Sequence, residues 1–290
     1  MYSAIDSPYL VPFDGQFKVE DLPTVCEDIP SKKEYKRCLD VLVESIDHLQ
    51  RRLYASDQHS VLLVFQAMDA AGKDSTIRAV MRGVDPAGCQ VFSFKQPSSE
   101  ELDHDFLWRS AKRLPQRGRI GVFNRSYYEE TLVVRVHPDY LKAEKLPHQP
   151  PLDTLWQERF ESILDHEKHM ARNGTMILKF WLNVSQEEQH RRFLSRLDNK
   201  RKNWKFSSGD VEESKLWPEY MHAYESALKA TSRPWAPWFA IPADDKPAMR
   251  LVVASIIVAS MEKLGLKYPE VSKKERQRFD EMREWLKNHG

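Results

Sequence analysis

The chain predicts an α/β fold, a central parallel sheet of about five strands flanked by helices on both faces. Three observations predict it. Short, almost wholly apolar segments at 60–65, 90–94, 119–123, 176–182 and 238–241 read as strands buried on both sides. Segments of helical period alternate with them, the pattern of strands joined by crossover helices. The first strand runs into a loop of small residues carrying Asp69, Gly72 and Lys73, and then into a helix. Strand, tight Gly-Lys loop and helix form the unit that wraps backbone N–H groups around phosphate oxygens.

Residues 1–30 are rich in Pro, Asp and Ser, show little period, and read as an extended arm. Ser31 is a candidate N-cap and Glu34 completes a capping box, opening a helix over 31–55. Leu39, Leu42, Val43, Ile46 and Leu49 share one face of it. Helices follow at 73–83, 100–114, 126–135, 153–172, 185–198 and 211–230. The stretch 244–264 is apolar enough to pack on the sheet, whereas 272–288 is strongly polar and reads as a surface helix. One domain over 31–290 is expected, because no repeat or low-complexity linker divides it.

Net charge is +1 among 290 residues, of which 30% are charged and 41% hydrophobic. Global charge therefore points to neither nucleic acid nor membrane, and any polyanion site must come from local clustering of lysine and arginine. Cys26, Cys38 and Cys89 have neither disulfide-framework nor metal-site spacing. The N-terminus lacks the basic and apolar regions of a signal peptide, and the run 251–261 is too short to span a bilayer. A cytoplasmic protein is expected.

The loop departs from the common pattern G-x-x-x-x-G-K-[ST]. Ala67 stands at the first glycine, and Asp74 follows the lysine, with Ser75 one residue later. The usual hydroxyl helps hold Mg²⁺, so a carboxylate, Asp69 or Asp74, has to take its part. Ligands in parallel sheets bind beyond the strand C-termini, where Asp69–Lys73 and Asn124–Arg125 fall. Further on, Arg191, Arg192, Arg196, Lys200, Arg201, Lys202 and Lys205 crowd one segment. Composition alone leaves a solvated basic face and a lid over an anionic substrate equally open. The phosphate loop in the same chain favours a basic helical lid around 185–215.

Four separated blocks, Phe65-Gln-Ala-Met-Asp-Ala-Ala-Gly-Lys-Asp-Ser75, Gly121-Val-Phe-Asn-Arg-Ser-Tyr-Tyr-Glu-Glu-Thr131, Asn203-Trp-Lys-Phe-Ser207 and Ile241-Pro-Ala-Asp-Asp-Lys246, closely resemble the polyphosphate kinase 2 family. The resemblance runs from about residue 31 to 264. It implies a P-loop kinase fold related to thymidylate kinase, with a helical lid. It also implies phosphoryl transfer from inorganic polyphosphate to a nucleotide with Mg²⁺, or Mn²⁺ in its stead. Many members carry Asp-Arg where this chain has Asn124-Arg125, and Asn where it has Glu129. The blocks are similar to the third subfamily, which takes both AMP and ADP.

On that resemblance Asp69, Lys73 and Arg125 are the expected catalytic residues, with Asp69 as the metal ligand. Ala70, Ala71, Gly72, Asp74, Ser75 and Asn124 are expected to bind substrate, and Glu129 to serve the nucleotide side. Arg117 and Arg135 are expected to extend an anion track, and Arg196, Lys200, Lys202 and Lys205 to close on it from the lid. His104, His137 and His222 are read as structural or surface groups, and Trp204 as a lid contact or anchor. The expected assembly is a homo-oligomer, dimer or tetramer, with neither nucleic-acid nor membrane partner. An ATP-dependent nucleoside monophosphate kinase of the thymidylate kinase type and a non-catalytic polyanion-binding module are the rival readings.

Overall fold

The computed structural model describes residues 1–27 and 31–289. The expected arm's last residues, 28–30, and the final residue, 290, lie outside them. The chain runs α1 (Lys32–Ser56), β1 (Ser60–Gln66), α2 (Lys73–Val80), β2 (Cys89–Ser93), α3 (Ser99–Leu102), α4 (Trp108–Ala111), β3 (Ile120–Asn124) and α5 (Val133–Val136). It continues through α6 (Leu152–Arg172), β4 (Thr175–Asn183), α7 (Gln186–Leu197), α8 (Ser208–Lys215), α9 (Trp217–Thr231), β5 (Trp238–Pro242), α10 (Lys246–Glu262) and α11 (Lys273–His289).

The five strands form one parallel sheet in the order β2-β3-β1-β4-β5. All seven residues of β1 are buried, as its unbroken apolar run requires. α1, α2 and α10 pack together as one layer, and α5, α6 and α9 as another. The Ser31 side chain caps α1 by accepting from the Glu34 N–H. Near the N-terminus, Leu10 bridges Phe239 in antiparallel sense and Val11 N–H donates to the Trp238 carbonyl at 2.9 Å. That pairing covers the edge of β5, which would otherwise offer open N–H and C=O groups to another chain.

The order places a switch at the centre. From β1 the chain leaves towards β2, and from β3 it crosses to β4 on the other side of β1. The C-terminal ends of β1 and β3 lie side by side, with Phe65 in register with Asn124. Loops leaving in opposite directions open a crevice there.

Three expected helices are interrupted. The 100–114 stretch is two short helices, α3 being opened by a capping box between Ser98 and Glu101 and ending at Leu102. The 211–230 stretch breaks at Leu216, and Pro218 opens α9. The 126–135 stretch is a 3-10 turn, Tyr127–Thr131, followed by the single turn of α5, with Leu132 off helical angles between them. Burial of the two tyrosines accounts for the last break. Both phenol O–H groups donate to Glu167 Oε1 at 2.9 Å. Lys179 Nζ, at the middle of β4, donates to Glu167 Oε2 at 2.6 Å, to the Tyr128 hydroxyl and to the Thr231 carbonyl. Lys179 and Glu167 are fully buried, so each is the other's necessary counter-charge.

Glu167→Gln should therefore lower unfolding free energy by about 3 kcal/mol, because it strands a buried ammonium. Adding Lys179→Met to it should recover at least half of that loss. Urea titrations of the three proteins measure this, and a harmless single variant would show that the pair does not hold the two tyrosines' segment.

Candidate active site

The crevice is a cleft of about 650 Å³. The phosphate loop forms its floor. Gly72, the N-cap of α2, has φ +113°, and a Cβ there would lie 3.3 Å from Met249 Cε. Glycine is thus required by backbone angle and by crowding together. Ala70 also has a left-handed φ, +61°, which is unfavourable for alanine by roughly 1 kcal/mol. Lys73 is the first residue of α2 and is buried, its Nζ donating to the Ala67 carbonyl at 2.5 Å. Burial, and then the Arg125 guanidinium, push its pKa down to about 8. Ser75 Oγ donates to the Gly72 carbonyl at 3.0 Å, so the displaced hydroxyl is committed to the loop itself.

The end of β3 supplies the other wall. Arg125 has φ +62°, and its N–H donates to the Phe65 carbonyl, which locks it beside β1. Its guanidinium donates to Asp69 Oδ1 at 2.7 Å and Glu129 Oε2 at 2.9 Å. Glu129, against burial and with help from Asp69, holds that guanidinium firmly charged. Glu129 reaches Arg125 across the 3-10 turn and not along an α-helical face. Asn124 Nδ2 donates to Asp74 Oδ1 at 2.6 Å, so the side chain that ends β3 binds the acidic residue that follows the loop lysine.

The basic segment 191–205 forms the roof. Arg191, Arg192, Ser195 and Arg196 on α7 line the cleft with Lys202 and Lys205 beyond it. Arg196 donates to Asp210 Oδ2 and to the Lys205 carbonyl, both at 3.1 Å. Trp204 is 78% exposed, its indole N–H donates to the Arg201 carbonyl at 3.1 Å, and Lys205 lies over its ring. In all, ten lysines and arginines face two aspartates, Asp69 and Asp74, around the cleft.

Several expected residues lie elsewhere. Arg117 sits at the opposite end of the sheet, donating to the Gln58 carbonyl just before β1, because it precedes β3 and does not follow it. Arg135 is carried by α5 to a half-buried position whose nearby charge is Asp153, because the broken helix takes it off the Arg125 side. Lys200 does not line the cleft, being in the exposed turn after α7. Ala71 is fully buried behind the loop, its N–H donating to the Met68 carbonyl. Conversely, Arg78, Lys95 and Lys246 line the cleft and were not singled out as site residues. Arg78 lies one turn beyond Asp74 on α2, and Lys95 and Lys246 follow the C-terminal ends of β2 and β5. The strand-end rule applied to every strand would have found the last two.

The donor set fits a hard divalent cation. Asp69 and Asp74 each have one oxygen in a hydrogen bond and face the cleft. Mg²⁺ is commonly held by one or two carboxylates, with substrate phosphates and water completing its shell. Among the described residues no group of three or more His, Cys, Asp or Glu could hold a metal alone. A second cavity, about 300 Å³, adjoins the first and shares Lys95 and Arg125 with it. Val133, Val134 and Tyr140 line it, together with Glu129 and Glu130. Burial pushes the Glu130 pKa up to about 7.

Residues 30–269 match the family model described as Polyphosphate kinase 2. The chain is 53% identical over 257 residues to a Rhodopseudomonas palustris protein named ADP-polyphosphate phosphotransferase, covering 88% of this chain and 89% of that protein. It is 42% identical over 264 residues to a Meiothermus ruber protein named AMP/ADP-polyphosphate phosphotransferase, covering 90% and 95%. Among solved structures, polyphosphate kinase 2 from Arthrobacter aurescens is similar with a TM-score of 0.83 at 32% identity, over 96% of this chain and 99% of that one.

A pH dependence follows from the two cleft lysines. Lys246, the first residue of α10, is also pushed down to about 8, by burial and then by Arg192. Both ammonium groups are charged at pH 7 and lose their protons as pH rises through 8. Affinity for long-chain polyphosphate should therefore fall between pH 7 and 9, and binding near pH 8 should take up protons. Replacing both with arginine should flatten this limb. Calorimetry in buffers of different ionisation heat would show it, and an unchanged limb would assign it to other groups.

Proposed function

The chain belongs to the polyphosphate kinase 2 family, and on that premise we propose that Asp69, Lys73 and Arg125 carry its chemistry, with AMP and ADP as acceptors. It is a kinase that transfers phosphoryl groups between inorganic polyphosphate and nucleotides. The observation that carries the site assignment is the contact of Asp69 with Arg125 at 2.7 Å, beside buried Lys73, in a cleft where lysines and arginines far outnumber carboxylates.

Polyphosphate lies along the basic roof, between Lys202, Lys205 and Arg196 on one side and Lys246 and Arg78 on the other. Its terminal phosphate rests on the loop, against the N-terminus of α2 and near Lys73. The nucleotide enters by the smaller cavity, where apolar side chains take its base and Arg125 meets its phosphate. An oxygen of the nucleotide's terminal phosphate attacks the terminal phosphorus of the polyphosphate in line. One P–O bond forms, the bond to the penultimate phosphate breaks, and the shortened polyphosphate leaves as the anion. Arg125 can bind oxygens of both partners through its planar fork. Charge accumulates on the transferring group's oxygens, and Lys73 and Arg125 neutralise it. No side chain needs to be phosphorylated.

Kinases of this family generally use a divalent metal. We assign Asp69 as the principal ligand and Asp74 as its helper; bound Mg²⁺ or Mn²⁺ would neutralise phosphate charge. Glu129, on the acceptor side of Arg125, serves the shorter acceptor AMP. One domain from residue 31 with a lid at 185–215, and a cytoplasmic homo-oligomer, complete the reading. Exposed Phe279, Met282, Trp285 and Leu286 on α11 support an assembly. Among the described residues no helix is long and apolar enough to cross a membrane.

The donor assay tests the function. AMP with polyphosphate and no ATP should yield ADP and then ATP, whereas an ATP-dependent monophosphate kinase would give nothing. Neutralising Arg196, Lys202 and Lys205 together should raise KM for long polyphosphate on the order of 10-fold or more, and that for nucleotide much less. The same treatment of exposed Lys200 and Arg201 should change both little. Steady-state kinetics separate these outcomes, and an equal rise in both KM values for the triple variant would remove the polyphosphate track from the lid.

A further inference from the structure

At the phosphate loop, the root of the lid helix, whose Arg192 also borders the cleft, makes a set of contacts that the transfer reaction does not itself require. Three successive loop carbonyls are held by two α7 side chains. Gln189 Nε2 donates to the Asp69 carbonyl at 3.0 Å. Arg192 Nη1 donates to the Ala70 carbonyl at 3.0 Å and the Ala71 carbonyl at 2.6 Å. Both side chains are buried, Gln189 completely. Neither is free to turn. Ser214 Oγ, on α8, donates to Gln189 Oε1 at 2.6 Å, which fixes the amide with its NH₂ towards the loop. Glu188 accepts from Arg192 Nε, and the Ala243 and Asp244 carbonyls after β5 accept from Nη2.

A trans peptide unit points its N–H opposite to its C=O. Drawing the carbonyls of 69, 70 and 71 towards α7 therefore turns the amides of Ala70, Ala71 and Gly72 the other way. The Ala71 amide closes on the Met68 carbonyl. Ala70 and Gly72 line the cleft, and Ala71 does not. Ala70 also holds a left-handed angle that alanine keeps only when its surroundings impose it.

We propose that Gln189 and Arg192 are positioning residues that preset the phosphate loop by holding its carbonyls, with the Ala70 and Gly72 amides turned to the transferring phosphate, and so couple the loop's shape to the seating of the lid. The proposal rests on the functional reading above and adds to it a task for two side chains. Gln189 does not line the cleft, so its effect on turnover can pass only through the backbone it holds. Arg192 uses its whole fork, which a lysine's single ammonium cannot reproduce.

The test measures wild type first, then Gln189→Met and Arg192→Lys, each at temperatures where the variant is fully folded. Both variants should lower kcat at saturating substrates on the order of 10- to 100-fold, with KM for AMP and ADP little changed. In substrate-free wild type the Ala71 amide should be protected from hydrogen exchange. In the variants it should exchange freely while the β1 amides stay protected. Wild-type kcat in either folded variant, or a rise in polyphosphate KM alone, would overturn the clamp. Free exchange at Ala71 in the wild type would overturn it too, and needs no variant. Lack of polyphosphate-dependent turnover by the wild type would instead sink the functional reading, leaving the exchange experiment to judge the clamp.

Discussion

Ten cationic side chains around one cleft repel one another, and the site depends on how that repulsion is held in check without an anion present. Four of the five cleft arginines have carboxylate partners. Arg125 sits between Asp69 and Glu129, Arg196 against Asp210, and Arg191 and Arg192 share Glu188. Arginine cannot respond to repulsion by losing its proton, so a carboxylate is what steadies these four. Two cleft lysines, one buried and one half-buried, are treated otherwise. Lys73 and Lys246 have no close carboxylate partner, and their pKa values fall to about 8. They stay charged near neutral pH with little to spare, and an incoming polyanion is the partner they lack. The site is therefore assembled in two tiers, four arginines fixed in advance by protein carboxylates, and Lys73, Lys246 and Arg78 completed by substrate.

The sheet makes this crowding possible. Parallel strands deliver every C-terminal end to one edge, so Lys73, Lys95, Arg125 and Lys246 converge although they lie far apart in the chain. The fold was legible for that reason. Continuous apolar runs mark strands that are covered on both faces, and the Gly-Lys loop marks which strand is central. Asp69, Lys73 and Arg125 were legible as site residues because each lies directly after a strand, where the direction of the chain already specifies the location.

What escaped the sequence is what depends on tertiary packing. Arg117 and Arg125 look alike as strand-flanking arginines, yet one precedes β3 and the other follows it, and the sheet separates them by its full length. Arg135 was read from a helix over 126–135 that two buried tyrosines break. No periodicity could foretell that Lys179, inside an apolar strand, meets Glu167 and with it pulls those tyrosines inward. Ala71 illustrates a finer limit. Its place in the loop was evident, but which of three consecutive peptides faces the cleft is decided by Gln189 and Arg192 from a helix more than a hundred residues away.

The two unusual residues at the crevice, Asp74 and Asn124, act as a pair. The loop carries Asp74 where the common pattern has a hydroxyl, and β3 ends in Asn124. In the structure the two residues touch, Asn124 Nδ2 donating to Asp74 Oδ1 at 2.6 Å. The carboxylate stands on the first turn of α2. That location is a favourable one, since the positive end of a helix dipole stabilises an anion there by about 0.3–1 kcal/mol. Asn124 suits its place as well. A second carboxylate in its place would face Asp74 at hydrogen-bond distance with no proton between them, whereas the amide supplies the donor that orients it. An aspartate at 124 in this loop would therefore be the departure that needs explaining.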